Sequence, residues 1–135
     1  MVIAYRSSAM SEPAAKITPE ILEERLVDFA VRVIALANRL SASFAGKHIA
    51  NQMVRSGTSP APNYAEGRSA ESRADFIHKL RVVVKELNET SLWLRISAKS
   101  GLVKDTLLNG LQNECDELKR IMGASLRTAR LRSAK

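Results

Sequence analysis

The stretch Met53–Arg68, MVRSGTSPAPNYAEGR, decides the fold of this chain, because a helical pattern there meets residues that break helices. Pro60 and Pro62 each lack a backbone N–H and crowd the carbonyl four residues earlier. If the stretch were a linker, its side chains would have no reason to segregate into an apolar and a polar face. The question is therefore whether the helical period survives the prolines.

The period does survive. Apolar or small residues continue the alternation of four and three positions, at Ala50, Val54, Gly57, Ala61 and Tyr64. Polar residues fall on the opposite face within an arc of about 80°, at Gln52, Arg55, Ser59, Asn63 and Glu66. We therefore predict one helix over about residues 47–66, bent at Pro60 and Pro62, with Gly67 ending it in the left-handed conformation. The alternative is two short helices split at Ser59–Pro60.

Three further helices follow from the same periodicity. Thr18 and Pro19 suit the start of the first, which should end between residues 41 and 46. The third begins after Ser69 or Ser72 and ends near residue 100, and the fourth follows Asp105. Their apolar seams are Leu22, Leu26, Phe29, Val33, Leu36 and Leu40; Phe76, Leu80, Val83, Leu87, Thr90 and Leu94; and Leu108, Leu111, Cys115, Leu118, Met122 and Leu126.

The predicted fold class is all-α: an antiparallel, up-down-up-down four-helix bundle over residues 18–129. Residues 1–17 are expected to be disordered or loosely attached, and residues 130–135 to form a basic tail. The size of 135 residues fits one domain, and with only 4% aromatic residues the core must consist of aliphatic side chains.

Composition also limits the function. No apolar run reaches the roughly 18 residues that a transmembrane helix needs, and the N-terminus lacks the apolar region of a signal peptide. The only cysteine, Cys115, rules out an intrachain disulfide. We expect a cytoplasmic protein with no membrane partner.

Positive charge concentrates at the C-terminus. The net charge is +7, and from residue 119 onward there are six basic residues and no acid: Lys119, Arg120, Arg127, Arg130, Arg132 and Lys135. Such a segment is a candidate for non-specific binding to phosphate backbones. The alternative is a solvated helix end that only aids solubility.

An enzymatic site is not indicated. Neither His48 nor His78 follows a glutamate by three positions, as the ligand motif of di-iron bundles requires. Cys115 lies on an apolar seam, where nothing would lower the pKa of its thiol. We expect no catalytic residues, no metal and no cofactor.

Two motifs carry a family resemblance. The first, on helix 2, consists of Arg55, Ser59, Asn63, Glu66 and Gly67. The second, on helix 3, consists of Lys85, Glu86, Asn88, Glu89, Thr90, Trp93 and Leu94. Together they resemble the bacterial four-helix-bundle proteins first noticed in intervening sequences of 23S ribosomal RNA genes, over about three quarters of the chain.

The resemblance implies a small bundle without established enzymatic activity that assembles as a pentamer. A distant relative is the basic accessory variability protein of diversity-generating retroelements, which works with a reverse transcriptase and binds nucleic acid. The partners that the resemblance and the basic C-terminus suggest are therefore further copies of the chain and RNA, DNA or a nucleic-acid enzyme. A structural protein–protein module that binds no nucleic acid is the alternative.

The polar face of helix 2 is the one constellation of interest. We expect Arg55, Ser59, Asn63, Glu66, Glu86 and Glu89 to form a structural polar network. In it, Arg55 would pair with Glu86 or Glu89. A ligand or nucleic-acid groove is the competing interpretation. Trp93 lies about 100° from the seam of helix 3, which suggests a place at a subunit contact.

Overall fold

The computed structural model describes residues 3–5, 15–40 and 42–134. Its elements are β1 (Ile3–Tyr5), β2 (Ala15–Ile17), α1 (Pro19–Leu40), α2 (Phe44–Thr58), α3 (Pro60–Arg68), α4 (Arg73–Lys99) and α5 (Asp105–Ser133). Because α2 and α3 form one bent helix, the architecture is the predicted four-helix bundle. α1 and α4 occupy diagonal positions, since α2, α3 and α5 each pack against both of them.

The N-terminal strands form a small antiparallel pair in which Ile3 lies opposite Ile17. Ile17 is buried among the side chains of the helical core. The prediction that residues 1–17 are loosely attached falls largely on residues 1, 2 and 6–14, which lie outside the described ones.

Helix starts follow the local signals. Thr18 Oγ1 accepts a hydrogen bond from the Ile21 N–H at 3.2 Å, ahead of α1. Ser72 Oγ accepts one from the Asp75 N–H at 3.1 Å and caps α4. Each cap satisfies one of the backbone donors that a helix start leaves free.

The bend at the prolines keeps the chain on a helical path. Ser59 separates α2 from α3 but has helical dihedral angles (φ −74°, ψ −37°), and its carbonyl accepts from the Asn63 N–H at 3.2 Å. The carbonyls that lose their donors belong to Ser56 and Thr58, four residues before each proline. The bend therefore lies at the junction where the alternative interpretation had placed a split.

Gly67 contradicts its sequence-based prediction. It lies inside α3 and is buried, and the described residue with positive φ is Gly101 (φ 74°), which follows α4. α3 ends instead by short-range bonds, from the Ser69 N–H to the Glu66 carbonyl and from the Ala70 N–H to the Gly67 carbonyl, each 3.1 Å long. Gly67 lies close to α4, where an added Cβ would be in tight contact with the Lys79 Cβ at 3.2 Å.

The core is the aliphatic seam that the periodicity indicates, with Leu26, Phe29, Leu80, Leu87 and Leu118 inaccessible to solvent. α5 continues through Ser133, so that residues 130–133 of the expected basic tail are helical, and Ala129 is buried. Lys135 lies outside the described residues.

A close approach of α1 and α2 at Gly57 generates the first prediction. A Cβ on Gly57 would lie 2.7 Å from Cγ1 of Val33, a buried β-branched side chain with little rotamer freedom. We expect Gly57→Ala to destabilise the protein by about 1–2 kcal/mol, because overpacking outweighs the gain in helix propensity. The measurement is the midpoint of chemical denaturation.

Gly123 is the matched control. It lies within α5, and a Cβ there has no neighbour within 4 Å. Gly123→Ala should stabilise the protein by about 0.5–1 kcal/mol, because only helix propensity changes. Equal effects of both substitutions would show that the contact with Val33 does not constrain the fold.

Candidate functional site

Arg55 joins α2 to α4 through two acids one turn apart. Its Nη1 lies 3.3 Å from Glu86 Oε2, and its Nη2 donates to Glu89 Oε2. The side chain of Glu86 is only 10% exposed, whereas that of Arg55 is 51% exposed. The guanidinium therefore compensates a nearly buried carboxylate from the solvent side.

Trp93 extends this cluster by one further turn of α4. Its Nε1–H donates to Glu89 Oε2 at 3.2 Å. The ring of His48 meets the indole edge to face, with centroids 6.0 Å apart and an interplanar angle of 80°. Trp93 is partly buried and packs against the core. Its indole N–H thus has a partner within the protomer, which sequence reasoning missed.

The remaining predicted network residues form two separate groups. Asn63 Nδ2 donates to the Ser59 carbonyl and lies close to Ser59 Oγ, both at 3.0 Å. Lys79 Nζ donates to Glu66 Oε2 at 2.9 Å, and this hydrogen bond raises the pKa of Lys79. Within the described ranges, no hydrogen bond or ion pair links either group to Arg55.

A buried hydroxyl pair lies beneath the Arg55 cluster. The Ser56 and Thr90 hydroxyls are 2.8 Å apart, and Thr90 Oγ1 is also 2.8 Å from the Glu86 carbonyl oxygen. Neither residue is accessible to solvent. The pair adds a polar tie between α2 and α4 at the point where Arg55 crosses them. Its only sequence signal was the polar Thr90 on an apolar seam.

The cysteine and the two histidines considered for chemistry lie in different surroundings. Burial raises the pKa of the Cys115 thiol to about 12, and its Sγ lies 3.4 Å from the Leu87 carbonyl oxygen, so the thiolate is disfavoured at neutral pH. His48 and His78 are both exposed. Over residues 3–5, 15–40 and 42–134, no group of three or more His, Cys, Asp or Glu residues is arranged to hold a metal ion.

The helices of this same part of the chain include none long and apolar enough to cross a bilayer.

The ion pairs of the described residues each join two neighbouring helices. Arg25 of α1 binds Glu114 and Glu117 of α5, and Arg68 of α3 binds Glu20 and Glu23 of α1. Arg55 and Lys79 are the other cations in ion pairs of the described chain. The C-terminal cations form no ion pair with another described residue, and their side chains are exposed or partly exposed. They are Lys119, Arg120, Arg127, Arg130 and Arg132.

The comparisons with known proteins agree with this architecture. The family model of the 23S rRNA-intervening sequence protein matches residues 22–124, which are 103 of 135 residues. A crystal structure from Bacteroides thetaiotaomicron, described as a protein with unknown function from the S23 ribosomal protein family, is similar at 29% identity and a TM-score of 0.77. The similarity covers 82% of this chain and 99% of that one. Among curated proteins, none matches the chain.

The Arg55 cluster generates a stability prediction. Arg55→Ala should destabilise the protein by about 1–2 kcal/mol, because Glu86 is left nearly buried without its cation. The half-exposed guanidinium keeps the loss below that of a fully buried pair. Thermal unfolding should show a midpoint lowered by several degrees.

The control is the double substitution Arg55→Ala with Glu86→Gln. Removing the orphaned charge should recover part of the lost stability, and a double-mutant cycle should show the coupling. If Arg55→Ala leaves the melting temperature within one degree of the wild type, the cluster does not stabilise the fold.

Proposed function

Because this chain belongs to the 23S rRNA-intervening sequence protein family, we propose that it acts as a non-catalytic, oligomeric binding module associated with nucleic acid. The observation that carries the proposal is the run of cations on α5. From Lys119 onward the helix has no acid, and Arg120, Arg127, Arg130 and Arg132 are exposed.

The earlier acids of α5 do not neutralise this run. Glu114 and Glu117 are turned toward α1, where Arg25 binds both. Asp116 accepts a hydrogen bond from the neutral Gln112 amide at 3.3 Å and keeps its charge, but it lies one turn before Lys119 and Arg120 only. It therefore leaves the charges of Arg127, Arg130 and Arg132 uncompensated. A surface of unpaired guanidinium groups attracts a polyanion, and phosphate backbones are the polyanion that such groups bind with least geometric demand.

The experiment is a fluorescence anisotropy titration of RNA and DNA oligonucleotides at several salt concentrations. The triple variant Arg127→Gln, Arg130→Gln and Arg132→Gln should bind more weakly. The slope of its plot of log affinity against log salt concentration should be shallower by about 2–3. Each phosphate contact contributes about 0.9 to that slope for a duplex. Substitution is cleaner than truncation of residues 128–135, because Ala129 is buried.

The control carries the same change of charge on exposed cations of α1 and α2, at Arg32, Arg39 and Lys47. This variant should keep most of the affinity. No binding by the wild type, even at low salt, would exclude the proposed association with nucleic acid.

A second candidate function, a protein–protein module without nucleic acid, is favoured by a separate observation. Val27, Val31 and Ile34 form an exposed row on α1, with exposures of 39%, 59% and 42%. Their spacing of four and three residues places them on one face of the helix. Adjacent exposed apolar side chains mark protein contacts more often than free surface. The same row supports the proposal of a homo-oligomer.

We propose that the assembly is a pentamer and that Trp93 lies at or near a subunit contact. The exposed part of Trp93 and the apolar row of α1 are the candidate surfaces. In a closed ring each contact joins two different surfaces, so one substitution weakens every interface. Light scattering should give about 75 kDa for the wild type, five times the 14.9 kDa of the chain.

Val31→Glu and Trp93→Ala should each give smaller particles. Circular dichroism controls for folding, since Trp93 also contacts His48 and Glu89 within the protomer. A wild-type mass of one chain would refute the assembly. An intact Trp93→Ala oligomer would refute only the role of that residue. An oligomer that binds no nucleic acid at low salt would favour the protein–protein module.

A further inference from the structure

The outward face of α4 carries positive charge only. After Asp75 in the first turn, the exposed residues of this helix are His78, Arg81, Lys85, Asn88, Leu92, Arg95, Ile96 and Lys99. The acids of the same helix, Glu86 and Glu89, point toward α2, where Arg55 binds them. The tertiary structure therefore separates charges that alternate along the sequence.

Four of these residues form what we term the α4 cationic row: Arg81, Lys85, Arg95 and Lys99. At 100° per residue they fall within an arc of about 80°, and at 1.5 Å per residue they extend over about 27 Å. None of them is in an ion pair with another residue of the described chain.

This arrangement disfavours the isolated helix. Arg81 and Lys85 are four residues apart, as are Arg95 and Lys99, and like charges at this spacing repel each other. The acid four residues after Lys85 is Glu89, which is already bound to Arg55 and Trp93. Asp105 borders a cleft together with Arg95 and Lys99 but forms no ion pair with either. No salt bridge within the described chain offsets the repulsion, so a polyanion is the partner that would offset it.

α5 adds further cations beside the α4 cationic row. Lys119 and Arg120 line a shallow cleft together with Val84 and Asn88 of α4. Asp116 also borders this cleft and keeps its negative charge, because the hydrogen bond from the neutral Gln112 amide does not neutralise it. The cleft therefore carries two cations and one acid. The cations of the two neighbouring helices thus form one continuous surface, on the side of the bundle away from α1.

We propose that the α4 cationic row is the main surface by which this protein binds the backbone of a nucleic-acid duplex. The inference rests on the proposed function. It places the centre of the nucleic-acid-binding surface on α4 rather than on the C-terminal end of α5.

A duplex fits this surface better than a single strand. Single strands are held largely by base stacking on aromatic side chains, and the exposed residues of α4 after its first turn include no Phe, Tyr or Trp. A straight, rigid row of cations instead matches regularly spaced phosphates, which are contacted without sequence specificity. Since α1 lies diagonally across the bundle, subunit contacts through its apolar row leave the α4 cationic row uncovered. Trp93 lies about 120° around α4 from the centre of that row, so a subunit contact there also leaves the row open.

The test uses the full chain and anisotropy titrations from 50 to 200 mM salt. The probes are a mixed-sequence 20-base-pair DNA duplex, the corresponding RNA duplex, one of the single strands and poly-glutamate. The row variant is Arg81→Gln, Lys85→Gln, Arg95→Gln and Lys99→Gln. The control variant changes four exposed cations of β2, α1 and α2, at Lys16, Arg32, Arg39 and Lys47.

For the row variant we expect a salt slope shallower by about 3–4 and duplex affinity reduced at least tenfold at 50 mM salt. The control should keep its slope within about 1 of the wild type. The row variant should melt no lower than the wild type, because removing like charges relieves repulsion. Unchanged melting and helix content would separate lost binding from lost folding.

Other outcomes discriminate among the claims. Wild-type binding that the row variant retains in full would overturn the inference and leave the proposed function standing. Equal losses in the row and control variants would show a general effect of net charge and overturn it as well. Tighter binding of the single strand or of poly-glutamate than of either duplex would overturn the choice of partner. Absence of any nucleic-acid binding by the wild type would remove both proposals.

Discussion

The missing N–H groups of Pro60 and Pro62 are the constraint on which the rest of the structure depends. A straight helix would require donors for the carbonyls of Ser56 and Thr58, and the prolines cannot supply them. The chain bends at Ser59 and keeps its helical path, so that α2 and α3 both pack along α4. Arg55 contacts α4 on one side of the bend, and Glu66 and Gly67 contact it on the other.

Side chains around the bend supply hydrogen bonds close to the interrupted ladder. Thr58 Oγ1 donates to the Val54 carbonyl at 2.6 Å, and Asn63 Nδ2 donates to the Ser59 carbonyl. The accepting carbonyls, of Val54 and Ser59, lie within two residues of the Ser56 and Thr58 carbonyls, to which the prolines cannot donate. Ser and Thr hydroxyls that bond back to carbonyls four residues earlier often accompany a bent helix. The polar face of helix 2 therefore helps to hold the bend, and Arg55 alone within it reaches the acids of α4.

Cations between the helices and cations on the outward faces differ in whether an acid binds them. The cations that lie between helices are bound by acids, as Arg25, Arg55, Arg68 and Lys79 show. The outward faces of α4 and α5, beyond their first turns, expose cations but no acid. The side of the bundle formed by α4 and α5 thus carries a net positive charge, while α1 on the diagonal position exposes an apolar row. Because the two surfaces differ in chemistry, mutations can test the proposed assembly and the proposed polyanion binding separately.

Hydrophobic periodicity and capping residues predicted the four-helix bundle from the sequence alone, because seams such as Leu80–Leu94 can be buried only against other helices. The motif that carries the family resemblance also placed Arg55 opposite Glu86 and Glu89. The prediction that Gly67 ends the helix in the left-handed conformation was wrong, since short-range hydrogen bonds end α3 without a left-handed residue. Gly67 instead lies where α3 packs closely against Lys79 of α4. The sequence drew attention to the C-terminal cations because no acid lies among them, whereas Glu86 and Glu89 interrupt the row on α4. Only the tertiary structure turned those acids toward Arg55, because a charge faces solvent or a partner according to which helix packs beside it.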